Sequence, residues 1–326
     1  MSSYKPPYTL TGRIVQQISE ISELISDVKY IDKTYNTLQL RKKNRVRSIT
    51  GTLQIEGNTF DEEKVTSIIN GKPVLGTLRE IEEVKGALKA YDYMPNYNFK
   101  SEKDLLLAHK HLMQTLLNNA GAYRYSNVGV GGKDGVTHVA PPPNIVPQLM
   151  GELFEWLGES DEHPLIKSSV FHYEFEFIHP FSDGNGRIGR LWQSVILKDF
   201  KDFFAYMPIE SIVRKNQAKY YKALEDAGAV GESTPFIEFM LKIIAKSLKD
   251  YIAESKKSNQ KSDQKILQLI KKNREITIAQ MCNTLQMSSS GVKKVITKLK
   301  KEQLLQRVGS LKAGYWQILK SSFKES

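Results

Sequence analysis

The sequence contains one cysteine, Cys282, in 326 residues. A single thiol excludes an intramolecular disulfide, and its position in a helical pattern beside Met281 and Leu285 favours a packing role. The sequence also lacks paired cysteines and a His-Glu-x-x-His pattern, which are common signs of structural or catalytic zinc sites. Disulfide and zinc chemistry are therefore unsupported.

Long apolar runs are missing as well. No stretch approaches the roughly 18 uninterrupted apolar residues of a membrane-spanning helix. The first residues, Met1 to Gly12, lack a charged segment followed by an apolar one. We therefore expect a cytoplasmic protein with no membrane partner. Strand-like alternation is also rare, which favours a mainly α fold.

The formal net charge of +11 is not spread over the chain. Residues 254–326 contain 16 Lys and Arg against 5 Asp and Glu, a balance of +11, while the first 253 residues contain 31 of each kind. A polyanionic partner, if the protein has one, is therefore expected to bind the C-terminal part.

Helical spacing dominates the first half of the chain, beginning with an amphipathic stripe from Ile14 to Ile25. Residues 123–143 depart from this pattern, because they combine several glycines and three consecutive prolines with valines. That composition predicts a short β-hairpin, or flap, within an otherwise helical body.

Residues 254–262 are Lys, Ser, Asn and Gln with almost nothing apolar, and we predict a linker there. Before it we place an N-terminal helical region over residues 1–100 and a helical core over 101–253. After it, residues 263–326 show three short helical patterns and then a hairpin pattern, which predicts a winged helix-turn-helix domain.

The segment from His179 to Arg190 carries a concentration of polar residues between two apolar helical stretches. Pro180 should end the preceding helix and leave His179 at its tip. The following Gly-Asn-Gly turn, residues 184–186, opens onto the next helix, whose unpaired N–H groups favour an anion such as phosphate.

Three charged residues surround that turn. Arg187 and Arg190 are three apart, so they share one helix face and suit a polyphosphate. Asp183 supplies a carboxylate of the kind that holds Mg²⁺ beside substrate phosphates, and His179 can act as a general base at neutral pH. The alternative is an ordinary helix–loop–helix corner with a capping Asp and solvent-facing arginines.

At every fixed position this segment resembles the signature of the Fic family, His-x-Phe-x-Asp/Glu-Gly-Asn-Gly-Arg-x-x-Arg. The resemblance implies an α-helical core over about residues 102–253. It also implies AMPylation, the transfer of AMP from ATP to a Tyr, Ser or Thr hydroxyl of a protein with release of pyrophosphate.

The resemblance also implies roles for individual residues. His179 would deprotonate the target hydroxyl, and Asp183 would hold Mg²⁺ between the α- and β-phosphates. Arg187 would stabilise the leaving pyrophosphate, and Arg190 would bind the γ-phosphate. The residues that would cradle the phosphates are Gly184, Asn185 and Gly186.

Two further constellations are expected near this segment. The predicted flap would pair with the backbone of the target protein through its strands, which contain Val128, Val130 and Val136; an ordinary surface hairpin is the alternative. Asn216 and Tyr220 are four apart, so an amide and an aromatic ring could meet the adenine, unless they belong to an aromatic core stripe.

Upstream, the residues from Thr52 to Gly57 resemble the inhibitory pattern of the family, Ser/Thr-x-x-x-Glu-Gly/Asn. The resemblance implies that Glu56 pairs with Arg190 and occupies the γ-phosphate position, so that the protein inhibits itself. The alternative is that Glu56 and Gly57 merely end a helix.

The predicted recognition helix of the C-terminal domain is crowded with lysines, which suits a DNA groove. The alternative is a winged helix used for protein contacts or homodimerisation, whose lysines form a solvated face. The lysines are Lys293, Lys294, Lys298, Lys300 and Lys301.

We therefore interpret the chain as a self-inhibited protein adenylyltransferase that uses ATP and Mg²⁺, with self-modification as one outcome. The alternative from another class is a DNA-binding transcriptional regulator with a nucleotide-sensing core. Within the enzyme class, another donor nucleotide or the removal of AMP stays open.

Overall fold

The computed structural model describes residues 4–34, 37–132, 135–285, 287–310 and 313–319. Within these residues the chain is mainly helical, as predicted. The α-helices are α1 (Gly12–Thr34), α2 (Leu38–Ile55), α3 (Glu62–Ile69), α4 (Leu78–Tyr93), α5 (Glu102–Met113), α6 (Val146–Glu159), α7 (Pro164–Ile178), α8 (Asn185–Phe200), α9 (Ile209–Lys215), α10 (Gln217–Val230), α11 (Thr234–Lys272), α12 (Ile278–Leu285) and α13 (Ser289–Lys301).

Two antiparallel hairpins supply the strands of the described residues. The first pairs β1 (Gly129–Gly132) with β2 (Gly135–Val139), and the second pairs β3 (Leu305–Val308) with β4 (Tyr315–Ile318). The first is the hairpin predicted from the glycine- and valine-rich segment. Its register shifts between Val130 and Gly131, so the strand carries a bulge there.

Among the helices in the described part of the chain, none combines the length and the apolar character that crossing a bilayer requires.

The chain forms two compact units. The first contains the residues up to Ser22 together with Arg41–Ser247, and the second contains Glu23–Leu40 together with the residues from Leu248 onward. The second unit therefore includes Glu23–Leu40, a segment of the predicted N-terminal helical region.

Helices α7 and α8 form the centre of the first unit. Most of α7 is buried, and α8 buries every residue from Arg187 to Leu197. The buried residues of α7 lie on several faces of the helix, which is typical of a helix packed inside a core rather than on a surface. Their connection, residues 179–184, is consequently held from both ends by buried helices.

Residues 254–262, where we predicted a linker, lie within α11, a helix of 39 residues. Lys, Gln, Glu and Ser solvate well but do not oppose helix formation. Apolar residues on either side, such as Leu248 and Ile266, are fully buried. The polar stretch therefore continues a helix whose flanks pack, and its composition alone could not distinguish this from an open linker.

The C-terminal residues of the second unit pack around their own apolar cluster. Met281 comes from α12, Val292 and Leu299 come from α13, and Trp316 comes from β4. The indole Nε1 of Trp316 donates to the carbonyl of Ile276 at 2.9 Å, which joins the hairpin to the helices. Three helical segments followed by a hairpin agree with the predicted winged helix.

The contact between α4 and α5 yields a test of the packing in the first unit. A Cβ atom on Gly86 would overlap the carbonyl oxygen of Leu112, so Gly86→Ala must separate the two helices. We expect the free energy of unfolding to fall by about 1–3 kcal/mol, measured by urea denaturation.

The matched control is Gly151→Ala in α6, where a Cβ atom would meet nothing within 4 Å. Because alanine favours helix over glycine, this change should raise stability by up to about 1 kcal/mol. Equal effects of the two substitutions would contradict the close approach of α4 and α5.

Candidate active site

His179 lies directly after α7, at the helix tip that Pro180 predicted. Its backbone is left-handed, with φ 51° and ψ 60°, and its N–H donates to the carbonyl of Phe175 at 2.9 Å. A non-glycine residue rarely adopts this conformation, which is unfavourable unless neighbouring contacts hold it. The fold therefore maintains a strained backbone at the predicted base.

The imidazole of His179 is part-buried, with 21% of the side chain exposed. Its Nδ1 lies 3.4 Å from the carbonyl oxygen of Glu176 and 4.0 Å from the carboxylate Oε2 of the same residue. Both of these oxygens only accept hydrogen bonds, so Nδ1 carries the proton in the neutral ring. Nε2 is then the nitrogen with a lone pair for a substrate.

Glu176 was not singled out from the sequence. Its carboxylate is largely buried between two imidazoles, with Oε1 3.6 Å from Nε2 of His172. Burial raises the pKa of Glu176, but His172, His179 and Arg190 together hold it below its ordinary value. Helical spacing could have indicated this residue, since position 176 lies one turn before the predicted base.

The turn after His179 is shaped by the side chain of Asn185. Its Oδ1 accepts from the N–H of Phe181 and its Nδ2 donates to the carbonyl of Phe181, both at 2.8 Å. Gly184 precedes α8 with a positive φ of 87°, which favours glycine. The Asn185 amide is thus engaged in closing the turn, and backbone N–H groups at the start of α8 are left to meet an anion.

Asp183 lies between two guanidinium groups. Its Oδ1 accepts from Nη2 of Arg187 at 2.8 Å, and its Oδ2 accepts from Nη2 of Arg79 at 3.1 Å. Glu83 contacts the same two arginines, at 3.6 Å from Arg187 and 3.2 Å from Arg79. Two carboxylates and two guanidinium groups therefore alternate at the edge of the turn.

Arg190 is buried and its partners come from α2 and the residue after it. Nε donates to the hydroxyl of Thr52 at 3.0 Å, and Nη2 donates to Oε1 of Glu56 at 2.6 Å. Burial lowers the pKa of Arg190, but Glu56, Tyr220 and Glu176 together hold that pKa above its ordinary value. Glu56 and Arg190, which the resemblance to the Fic family pairs, are therefore in direct contact.

Glu56 also lies against the start of α8. A Cβ atom on Gly186 would be 2.5 Å from Oε1 of Glu56, so only glycine leaves room for this carboxylate. Gly57, the next residue, has a φ of 93° and ends the helical segment. The carboxylate thus lies close to the first turn of α8, where the helix dipole favours negative charge.

His109, in α5, supports the turn, although its spacing in the sequence did not indicate a role. Its ring stacks on Phe181 with centroids 3.7 Å apart. Nδ1 accepts from the N–H of Gly121 at 2.9 Å, so Nε2 donates to the carbonyl of Asp183 at 3.0 Å. Burial lowers the pKa of His109 to about 4, which keeps the ring neutral at physiological pH.

The two residues predicted near an adenine lie at the start of α10. Tyr220 is buried, and its hydroxyl lies within hydrogen-bond distance, 3.0 Å, of Nε2 of His172. Nδ2 of Asn216 donates to the carbonyl of Ile212 at 2.9 Å. The ring of Tyr220 also packs edge-to-face on Phe236. Both side chains therefore have structural partners in the first unit.

The hairpin β1–β2 follows closely after Arg124, a buried residue that the sequence did not indicate. Its guanidinium donates to the carbonyl of His179 at 2.8 Å and to carbonyls at both ends of the hairpin. Val128 is half-buried. The side chains of Val130 and Val136 lie outside the described residues, so their predicted docking role stays a prediction.

The lysines of α13 do not share one face. Lys298 is largely buried and pairs with Asp263 and with Glu302. Lys293, Lys294, Lys300 and Lys301 are exposed. Lys298 therefore differs from the other lysines of the predicted recognition helix. Helical spacing alone could not show that an acidic residue of α11 approaches that side.

Comparisons with known proteins agree with this geometry. A family profile described as the Fic/DOC family matches residues 99–197, and one described as winged helix-turn-helix DNA-binding matches residues 260–306. The crystal structure of a Fic family protein from Desulfovibrio desulfuricans G20 is 36% identical, with a TM-score of 0.75, and the match covers 99% of this chain and 100% of that one.

A glycine-rich turn with charged residues, held between two buried helices and with a hairpin beside it, is therefore the arrangement of a Fic-type core. The chain belongs to the Fic family. It is also 30% identical over 222 residues to a protein named "Protein adenylyltransferase Fic" from Aedes aegypti, over 65% of this chain and 42% of that protein. The corresponding protein of Culex quinquefasciatus is 28% identical, over 73% and 47%. The chain thus spans less than half the length of these two relatives.

The low pKa of His109 makes stability depend on pH. Below pH 6.5 the unfolded chain binds a proton at this ring, whereas the folded protein does so only near pH 4. Stability should therefore fall by up to about 3 kcal/mol between these values. We expect His109→Gln to be less stable than wild type at pH 7 and to lose less on acidification, as measured by urea denaturation from pH 7 to pH 4.5. Parallel losses in both proteins would contradict this assignment.

Proposed function

We propose that the protein is an adenylyltransferase that transfers AMP from ATP to a hydroxyl side chain of a protein, and that Glu56 inhibits it. The observation that carries this proposal is the contact of Glu56 with both Arg190 and the N-terminus of α8. A carboxylate is held where the chemistry favours a phosphate. The relatives named protein adenylyltransferase support the same activity.

The start of α8 supplies the proposed phosphate site. Backbone N–H groups of its first turn are available to an anion, and Gly186 lets that anion approach closely. Arg187 and Arg190 extend from the same helix face, and each is 3% exposed. Nε of Arg187 is buried without a hydrogen-bond partner among the described residues, which is consistent with a donor kept for a phosphate oxygen.

Asp183 is the residue that would hold Mg²⁺. No cluster of three or more His, Cys, Asp or Glu side chains suited to a metal ion occurs in the described residues. A single carboxylate that is 37% exposed nevertheless fits this ion, since Mg²⁺ takes most of its ligands from phosphates and water. Bound there, the ion would neutralise charge on the phosphates. Arg79, which is 66% exposed, can move away from Asp183 into solvent.

The reaction would begin at His179. Nε2 accepts the proton of the target hydroxyl, and the hydroxyl oxygen forms a bond to the α-phosphorus of ATP. The bond from that phosphorus to the oxygen bridging the α- and β-phosphates breaks, and pyrophosphate leaves with the bonding electron pair. Glu176, 4.0 Å from Nδ1, stabilises the imidazolium formed when Nε2 takes up the proton. Arg187 offsets the charge that develops on pyrophosphate.

Inhibition would act through Arg190. While Glu56 holds this guanidinium, the γ-phosphate meets a carboxylate instead of a cation, so ATP can bind only with its phosphates displaced. The pair is mostly buried, with 2% of the Arg190 side chain and 32% of the Glu56 side chain exposed. Salt should therefore weaken it less than it weakens a surface pair.

The first test follows AMP transfer in three proteins: wild type, Glu56→Gly, and Glu56→Gly with His179→Ala. Each is incubated with Mg²⁺ and ATP labelled with ³²P on the α-phosphorus, alone and with a cell lysate. We expect label on protein to rise at least tenfold in Glu56→Gly, because Arg190 is released to the γ-phosphate, and to vanish without His179.

Parallel reactions with α-labelled UTP, GTP and CTP identify the donor, and loss of label on dilution into unlabelled buffer detects removal of AMP. If Glu56→Gly binds ATP but labels no protein with any donor, the transferase proposal is wrong and nucleotide sensing is favoured.

A second function, contact with DNA, is supported by the exposed lysines of α13 and by the winged helix-turn-helix profile. Lysine contacts to phosphates are largely independent of sequence. We expect the basic part of the chain to bind duplex DNA with an affinity that falls steeply with salt.

The test compares two double variants. One carries Lys293→Glu and Lys294→Glu, and the control carries Lys42→Glu and Lys43→Glu, an exposed pair on α2. Binding to a 30-base-pair duplex is measured by fluorescence anisotropy at several salt concentrations. In the first variant only, the slope of log affinity against log salt should shrink by about one for each phosphate that a lysine no longer neutralises. If both double variants have equal effects, DNA binding depends on the net charge of the protein and not on the lysines of α13.

A further inference from the structure

Arg124 is a buried cation whose side-chain hydrogen bonds, within the described residues, all go to backbone carbonyls. The residue is 3% exposed, and within the described ranges it forms no ion pair with a carboxylate. Nε donates to His179 at 2.8 Å, Nη1 to Ser126 at 2.9 Å, and Nη2 to Pro141 at 2.5 Å and to Ile178 at 3.3 Å. Burial lowers the pKa of this guanidinium below its ordinary value.

A buried charge without a counter-ion is unfavourable unless dipoles satisfy it. Here four carbonyl oxygens satisfy the charge, and they lie around the edge of the planar guanidinium of Arg124. Only arginine offers five N–H donors in a fixed fork. A lysine ammonium, a single compact group, could not reach carbonyls spread around that edge.

The four carbonyls belong to two parts of the site. Ile178 and His179 are the end of α7 and the proposed base. Ser126 lies three residues before β1, and Pro141 lies two residues after β2, so they are the two ends of the hairpin. The backbone N–H of Arg124 also donates to the carbonyl of Pro180, at 2.9 Å, and so joins Arg124 to the residue after the proposed base.

His179 needs such support because its backbone is left-handed. A non-glycine residue in this region is strained by roughly 1–3 kcal/mol. Its N–H is held by Phe175, and its carbonyl is held by Nε of Arg124. Both peptide groups that set the direction of the imidazole are therefore fixed.

We infer that Arg124 is a positioning residue that holds the strained backbone of His179 and sets the distance between this base and the β1–β2 hairpin. The inference rests on the proposed transferase function, in which a target hydroxyl lies between the two. Arg124 makes no contact with the phosphate site at the start of α8 in the described part of the chain, so it should affect transfer and not nucleotide affinity.

The test compares Arg124→Lys with the control Arg45→Lys, both in the Glu56→Gly background. Arg45 also donates to backbone carbonyls, those of Tyr91 and Leu88. It pairs in addition with Asp92, and none of its hydrogen bonds in the described residues goes to His179 or to the hairpin. We expect Arg124→Lys to reduce AMP transfer about 100-fold, as a displacement of about 1 Å can, with the Kd for ATP changed less than threefold. Arg45→Lys should leave both quantities within threefold.

Hydrogen exchange measured by mass spectrometry provides a readout that does not depend on activity. Arg124→Lys should accelerate amide exchange in residues 124–141 and 179–184 and leave α11 unchanged, whereas Arg45→Lys should not affect those segments. If neither segment exchanges faster, or if ATP affinity falls together with transfer, the inference is overturned. If Glu56→Gly itself transfers nothing, the exchange result still decides the role of Arg124.

Discussion

The burial of three guanidinium groups around one short turn is the constraint on which the site depends. Arg124, Arg187 and Arg190 are each 3% exposed, and a buried cation that lacks partners destabilises a fold by several kcal/mol. Each therefore has its own set of acceptors. Arg124 has backbone carbonyls, Arg187 has Asp183, and Arg190 has Glu56 with Thr52. These pairings connect α2, α7 and α8 to the turn.

The three sets of acceptors differ in what a ligand could replace. The carbonyls around Arg124 belong to the backbone and cannot leave, so this cation has a fixed, structural environment. The carboxylates of Glu56 and Asp183 are side chains at the edge of the site, 32% and 37% exposed. A polyphosphate could take the place of the first beside Arg190, and a metal ion could compete with the arginines for the second. Regulation and substrate binding are thus expected to use the same charges.

Neutral polar groups determine the shape of the turn that these charges surround. Asn185 closes it through two hydrogen bonds to Phe181, and His109 supports it by stacking on the same ring. An uncharged imidazole is needed there, since a proton on His109 would lie beside Arg187, and burial already disfavours it. Hydrogen bonds and ring stacking thus fix the shape of the turn, and under the proposed function little reorganisation of it would be required during the reaction.

The sequence by itself determined the mainly helical class, the hairpin, and the position of His179 at a helix tip, because these depend on local spacing, glycine and proline. The resemblance in residues 179–190 and 52–57 also paired Glu56 with Arg190. Only the tertiary structure decided that Arg124 holds His179, that Glu176 and His109 lie beside the turn, and that Lys298 is buried against Asp263. Those contacts join residues far apart in the chain, and no local pattern encodes which distant carbonyl or carboxylate will approach a given cation.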